Sequence, residues 1–171
     1  MVKIKPNKQD AYTTNLMISL LMCFPEIMSI HFDMPKEKAK FTYVLVGSPS
    51  KEEFTRFSTL LDESLAAYEE LTGEAFKVKA KLQRSKKLNL LLLHSSTSAL
   101  SLEGIQLMCG IVCNMFPEAV IRDAETLDAI VGEEQIRQEE IIEYLLNHNT
   151  GIKEDNLLAF RDAGKVLVYD K

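Results

Sequence analysis

Between residues 28 and 34 the chain alternates strictly. Met28, Ile30, Phe32 and Met34 fall on one side, Ser29, His31 and Asp33 on the other. Side chains of a strand point to opposite faces in turn, so this spacing predicts a half-buried strand. A charged turn at Pro35-Lys36-Glu37-Lys38 leads into a second strand, Lys40 to Gly47. Ser50-Lys51-Glu52-Glu53 has the form of a capping box, in which the first and last side chains satisfy each other's backbone amides. The stripe Phe54, Phe57, Leu61, Leu65, Tyr68 and Leu71 then steps by threes and fours, predicting a long helix that Gly73 closes. Alternation returns in Phe76, Val78, Ala80 and Leu82, set against Lys77, Lys79, Lys81 and Gln83. A turn at residues 84–87 follows, and then a leucine-rich strand, Leu88 to Leu93.

The remaining segments are helical or short. Residues 9–24 predict a helix with Asp10 as N-cap and Tyr12, Leu16, Leu20 and Cys23 on one side, ended by Pro25. A nearly all-apolar helix spans about 99–116 and stops before Pro117. Ala119 to Asp123 suggests a short strand, and 124–131 a short helix stopped by Gly132. Residues 133–147 form an acidic amphipathic helix with Ile141, Ile142, Leu145 and Leu146 inside, and a hairpin around Asp162-Ala163-Gly164 follows.

This order predicts an α+β fold: an antiparallel sheet of about five to seven strands with helices packed on it. The chain reads as one domain, 1–171, with an N-terminal helix and a C-terminal hairpin added to two strand-strand-helix units. Those units, about 27–73 and 76–117, match in type and spacing as a tandem duplication would, although identity between them is slight. From residue 41 the order strand, helix, strand, strand, helix resembles the ferredoxin-like arrangement, a likeness of topology that carries no function. The expected core includes Phe54, Phe57, Leu61, Leu65, Leu90, Leu92, Leu107, Met108 and Val112. Val44-Leu45-Val46 and Leu90 to Leu93 are apolar on both faces, so something must cover the second face of the sheet. The N-terminal helix, the 133–147 helix and another subunit are the three candidates. On this ground a homo-oligomer, most simply a dimer, is expected.

Composition narrows the class without naming an activity. Of 171 residues 46% are hydrophobic and 26% charged, enough apolar material for a packed core. A net charge of −5 argues against a general nucleic-acid binder. Cys23, Cys109 and Cys113 are an odd number of thiols in apolar settings, which suits a reduced, cytoplasmic protein. Leu16 to Phe24 is too short to span a bilayer, and no small-x-small cleavage site follows it, so a core helix is expected and no membrane partner.

The candidate chemistry is sparse. His94-Ser95-Ser96-Thr97-Ser98 sits where a strand turns toward a helix. Amides and hydroxyls at such a corner can hold a phosphate, and a serine beside a histidine is the raw material of a nucleophile. No Gly-x-Ser-x-Gly elbow and no glycine-rich loop with lysine accompanies them, and hydroxyl residues also gather there simply to cap helices. Cys109 and Cys113 stand four apart on a helix, but no further ligand completes a metal set and buried thiols are expected. Lys77, Lys79, Lys81, Arg84, Lys86 and Lys87 make a basic hairpin that could face RNA, without aromatics on that side for bases to stack on. Asp123, Glu125, Asp128, Glu133, Glu134, Glu139, Glu140 and Glu143 form an opposed acidic stretch, relieved by Arg137. The functional expectation is a non-catalytic interaction or regulatory module working through protein contacts, with no cofactor and no metal. The alternatives are an anionic or phosphorylated ligand at 94–98, or RNA on the 77–87 hairpin.

Overall fold

The computed structural model describes residues 2–3, 10–85, 88–123, 132–147, 156–162 and 164–170. Its strands are β1 (Val2–Lys3), β2 (Ser29–Asp33), β3 (Lys38–Val46), β4 (Lys79–Arg84), β5 (Leu88–Ser96), β6 (Asn156–Asp162) and β7 (Lys165–Asp170). Its helices are α1 (Asp10–Cys23), α2 (Lys51–Thr72), α3 (Leu102–Met115) and α4 (Glu133–Asn147). The seven strands form one sheet in the order β1-β7-β6-β2-β3-β5-β4, antiparallel throughout except where β1 runs parallel to β7. An α+β fold with helices packed on an antiparallel sheet is what the alternating and stepped patterns require.

Local signals set most boundaries. Ser50 accepts from the Glu53 amide, Glu53 answers at the Ser50 amide, and Gly73 ends α2 in the left-handed region at φ 75°. Gly164, at φ 77°, turns the β6–β7 hairpin. The two strand-strand-helix units lie side by side: β3 pairs with β5 over nine residues, and α2 packs on α3. Alongside β3, ahead of the start of β2, the backbone of 119–121 bonds to Val44 and Val46, so the expected short strand is a single bridge, Leu45 to Val120. The expected 124–131 helix and Lys86 and Lys87 of the basic hairpin lie outside the described residues.

The four described helices cover the same face of the sheet. Leu16, Met17, Leu20 and Leu21 of α1 share one core with Phe57 and Leu61 of α2, Ile105 and Met108 of α3, and Ile142 of α4. The strands supply Ile30, Phe32, Phe41, Tyr43, Leu91, Leu93 and Ala159 to the same cluster. Phe32 meets Phe41 edge-on, with ring centroids 6.3 Å apart, an arrangement the ring quadrupoles favour. The first turn of α3 comes so close to Phe76 that a Cβ on Gly104 would lie 2.6 Å from Phe76 Cδ2. The end of α1 is held from the sheet. Arg161 donates to the carbonyl oxygens of Leu21, of Phe24 at 2.8 Å and of Ile27 at 2.7 Å, and pairs with Asp123 at 3.4 Å.

This arrangement corrects several expectations. In β5 Leu91 and Leu93 point to the helix side and Leu90 and Leu92 to the other, because register with Phe41 and Tyr43 decides which alternate set points in; Leu92 is nonetheless buried, as expected, and Leu90 is only half-buried. Phe54 and Leu107 are partly buried at the margin of the core. Leu71, in the last turn of α2, stays 87% exposed, and Ile141 lies on the outer side of α4. β4 begins at Lys79, although Phe76 and Val78 are buried ahead of it, and the third helix begins at Leu102. Of the three candidates for covering the second face, α1 and α4 are spent on the first.

Leu91→Ala should cost about 2–5 kcal/mol in urea unfolding, the range for a core leucine truncation. Leu88→Ala, at a position 41% exposed on the other face, should cost about 1 kcal/mol or less. Equal losses would mean that the two faces are equally packed.

Candidate functional site

The face turned away from the described helices is defined by register. Residues directly opposite each other in an antiparallel pair point to the same side. Lys79 is opposite His94, His94 opposite Lys40, and Lys40 opposite His31, giving one row of four basic side chains across β4, β5, β3 and β2. The row on one side of it brings Lys81 beside Leu92 and Thr42. The row on the other side brings Ser96 beside Lys38 and Asp33. Two rows further along, Leu90 and Val44 are opposed, and beyond them Leu88 and Val46, of which the last two are clearly exposed. The face therefore grades from a cationic band into an aliphatic one.

Electrostatics agree with that geometry. Burial first, and then Lys40, Lys81 and Lys38, hold the His94 imidazole below its ordinary 6.5, as a cationic neighbourhood should. His31 donates from Nε2 to Asn156 Oδ1 at 2.6 Å. Lys38 and Lys40 were not among the residues singled out from the sequence. Their signal was present in Lys36-Glu37-Lys38-Ala39-Lys40, where alternation sets both lysines opposite Ala39, but nothing in the chain announces that this strand lies two places from β4.

The expected sites are partly joined and partly dispersed. Lys79 and Lys81 stand in the cationic band. Lys77 precedes it, with its carbonyl accepting from Ser95 Oγ at 3.1 Å. Arg84 turns away to the 47–49 loop, where it donates to Ser48 Oγ and, at 3.2 Å, to the Pro49 carbonyl. The hydroxyls of 95–98 are locally engaged: Ser96 Oγ lies 2.8 Å from Ser98 Oγ and caps a single 3₁₀ turn, Thr97–Ala99. The N-cap of α3 is Ser101, which accepts from the Gly104 amide at 3.0 Å. His94 and Ser95 point to opposite faces of β5. No serine–histidine hydrogen bond is present among the described residues.

A groove of about 930 Å³ runs past the ends of these strands against α2, with His94, Ser95 and Ser96 at one side. Its rim mixes Lys36, Lys38, Lys77 and Lys79 with Glu37, Asp62 and Glu69. Opposed charges on one rim suit a zwitterionic surface better than a small polyanion.

Under α3 lies a second cluster of titratable groups. Tyr43 Oη is 3.1 Å from Cys109 Sγ, and burial pushes both groups well above their ordinary range. Burial, followed by Glu139 and Glu134, raises the Cys23 thiol to about 12. A thiol reacts as its thiolate, so these groups are packing elements. The described residues hold no group of three or more His, Cys, Asp or Glu side chains that could bind a metal ion. Nor is any described helix long and apolar enough to cross a membrane.

The fold and this face together define an α+β protein whose sheet has one face covered by the described helices and a cationic band on the other. No family model, no curated protein and no solved structure matches the chain.

Burial also raises the Glu26 carboxyl above its ordinary 4.5, against the opposing pull of its own backbone amide, Arg122, the Cys109 thiol and Arg161. A group that protonates more readily when folded contributes fully below its unfolded value and loses that contribution as pH rises through its folded one. Thermal melts from about pH 4 to about pH 8 should therefore show wild type falling relative to Glu26→Gln as pH rises. Parallel curves would mean that Glu26 is no more desolvated than in the unfolded chain.

Proposed function

We propose that this protein is a non-catalytic interaction module that holds an acidic, partly apolar segment of a protein partner against the open face of its sheet. The observation that carries this is the row Lys79–His94–Lys40–His31, with Lys81 and Lys38 on either side. Four lysines brought together from two hairpins form a field that an acidic segment would follow on approach. In the aliphatic band Val44 is buried and Leu90 half-buried, while the exposed Leu88 and Val46 give the same segment somewhere to pack apolar side chains.

Two other occupants are less well supported. The open-face aromatics, Phe160 and Tyr169, lie on β6 and β7 and stack on each other at 5.4 Å, away from the lysines, so bases would have no platform beside the charges. A small phosphorylated ligand in the groove would meet Glu37, Asp62 and Glu69 as well as lysines. The three cysteines are free thiols, which suits work in the cytoplasm.

A glutamate- and leucine-rich peptide carrying a fluorophore tests this by anisotropy. Binding should weaken as salt rises, since exposed charges are screened over about 8 Å at 0.15 M. Lys79→Glu with Lys81→Glu should lower affinity by about tenfold or more. No peptide binding at low salt overturns the proposal, and so does a single-stranded RNA or an organic phosphate that binds the same face more tightly.

Affinity should also depend on pH. An anionic occupant relieves the cationic surroundings of His94, so binding takes up protons and tightens as pH falls from about 7.5 through 6.5. In His94→Gln the same titration should be flatter. An unchanged slope would place the peptide elsewhere.

A further inference from the structure

We infer that the occupant of this face is a second copy of the chain, whose α4 lies across the open sheet in a head-to-tail contact. This rests on the proposed use of the sheet face and names what fills it. Among the described residues, the exposed large apolar side chains other than Leu71 of α2 fall in two places: Val46, Leu88 and Tyr169 on the sheet, and Ile136, Ile141 and Tyr144 on α4. Each place also carries charge, and the signs are opposite. α4 contains five glutamates and one arginine, and Arg137 is already paired with Glu134 at 3.5 Å.

The spacing on α4 makes these features one surface. Ile136, Glu140 and Tyr144 step by four along a single line, with Glu143 beside it, while Ile142 and Leu145 point inward to the core. The outward side is thus a glutamate flanked by apolar residues, the counterpart of a lysine row beside an aliphatic band. Fifteen helical residues extend about 22 Å. That is comparable to strands of five to nine residues, which extend roughly 17–30 Å.

A face-to-face pair of sheets serves less well. It would set the lysines of both copies into one interface in which Asp33 and Asp162 are the open-face acids, and it would leave the apolar side chains of α4 uncovered. A head-to-tail contact uses both surfaces at once, and such contacts continue into rings or short chains of copies.

Sedimentation velocity of the full chain, at low and high salt and from about 1 to 100 µM, reads the outcome directly. Wild type should sediment above 19.4 kDa at low salt and return towards it as salt rises. Lys79→Glu/Lys81→Glu and Glu140→Lys/Glu143→Lys should each remain at the monomer mass. Mixed one to one, the two variants should associate again, because each restores the charge the other lacks, and this rescue also demonstrates that both are folded. A wild-type monomer at every concentration overturns the inference, as does association that survives Glu140→Lys/Glu143→Lys. If the acidic peptide still binds a chain that stays monomeric, the self-association fails while the interaction surface stands. If neither occurs, both fail.

Discussion

A single buried cation holds the two halves of the molecule in register. The Arg161 side chain is only 5% exposed, and it ends among carbonyl oxygens at the close of α1. The last carbonyls of a helix have no partners within it, and they form the negative end of its dipole, so a guanidinium there satisfies both needs. Burying a charge costs several kcal/mol unless it is well paired, and Asp123 supplies the countercharge. The Arg161 backbone amide donates to Met28 and that of Asp123 to Pro25, so the same knot ties α1, the entry to β2, the 121–123 segment and β6. With α1 placed in this way, its apolar residues lie on the inner face of β6 and β7.

From that placement follows the one-sided architecture. Once α1 is fixed over β6 and β7, α4 packs against it, and α2 and α3 cover the other half of the same face. With the four described helices on one side, the opposite side is defined, among the described residues, by strand residues. Its character then depends wholly on which alternate positions point outward: lysines and histidines at one end of the central strands, leucines and valines at the other.

Individual elements were largely legible in the sequence, since alternation in 28–34, the capping box at Ser50 and the stripe from Phe57 to Leu65 each state a local rule. What was not legible is long-range. In Leu90-Leu91-Leu92-Leu93 both alternate sets are apolar, so the chain does not say which set faces the core; pairing with β3 does. The cationic row was visible only in halves, because its lysines come from two hairpins whose adjacency is a fact of strand order. The cluster at 94–98 stood out by composition, yet its residues divide between two sides of a strand and a short turn. Arg161 offered no signal at all, lying within an otherwise ordinary hairpin sequence.

The position of β6 has a consequence for synthesis. It lies between β2 and β7, so the edge of β2 has no partner until residues 156–162 exist. Arg161 likewise reaches the Leu21 carbonyl across 140 residues of chain. At the usual translation rates of about 5–20 residues per second, roughly 7–28 s pass between the making of α1 and the making of the strand that secures it. During that interval α1 and the first hairpin present apolar surface and an open edge to the cell, the state in which nascent chains aggregate or recruit chaperones. Slow codons or stalls before residue 156 would prolong the exposure far more than the same delays after it.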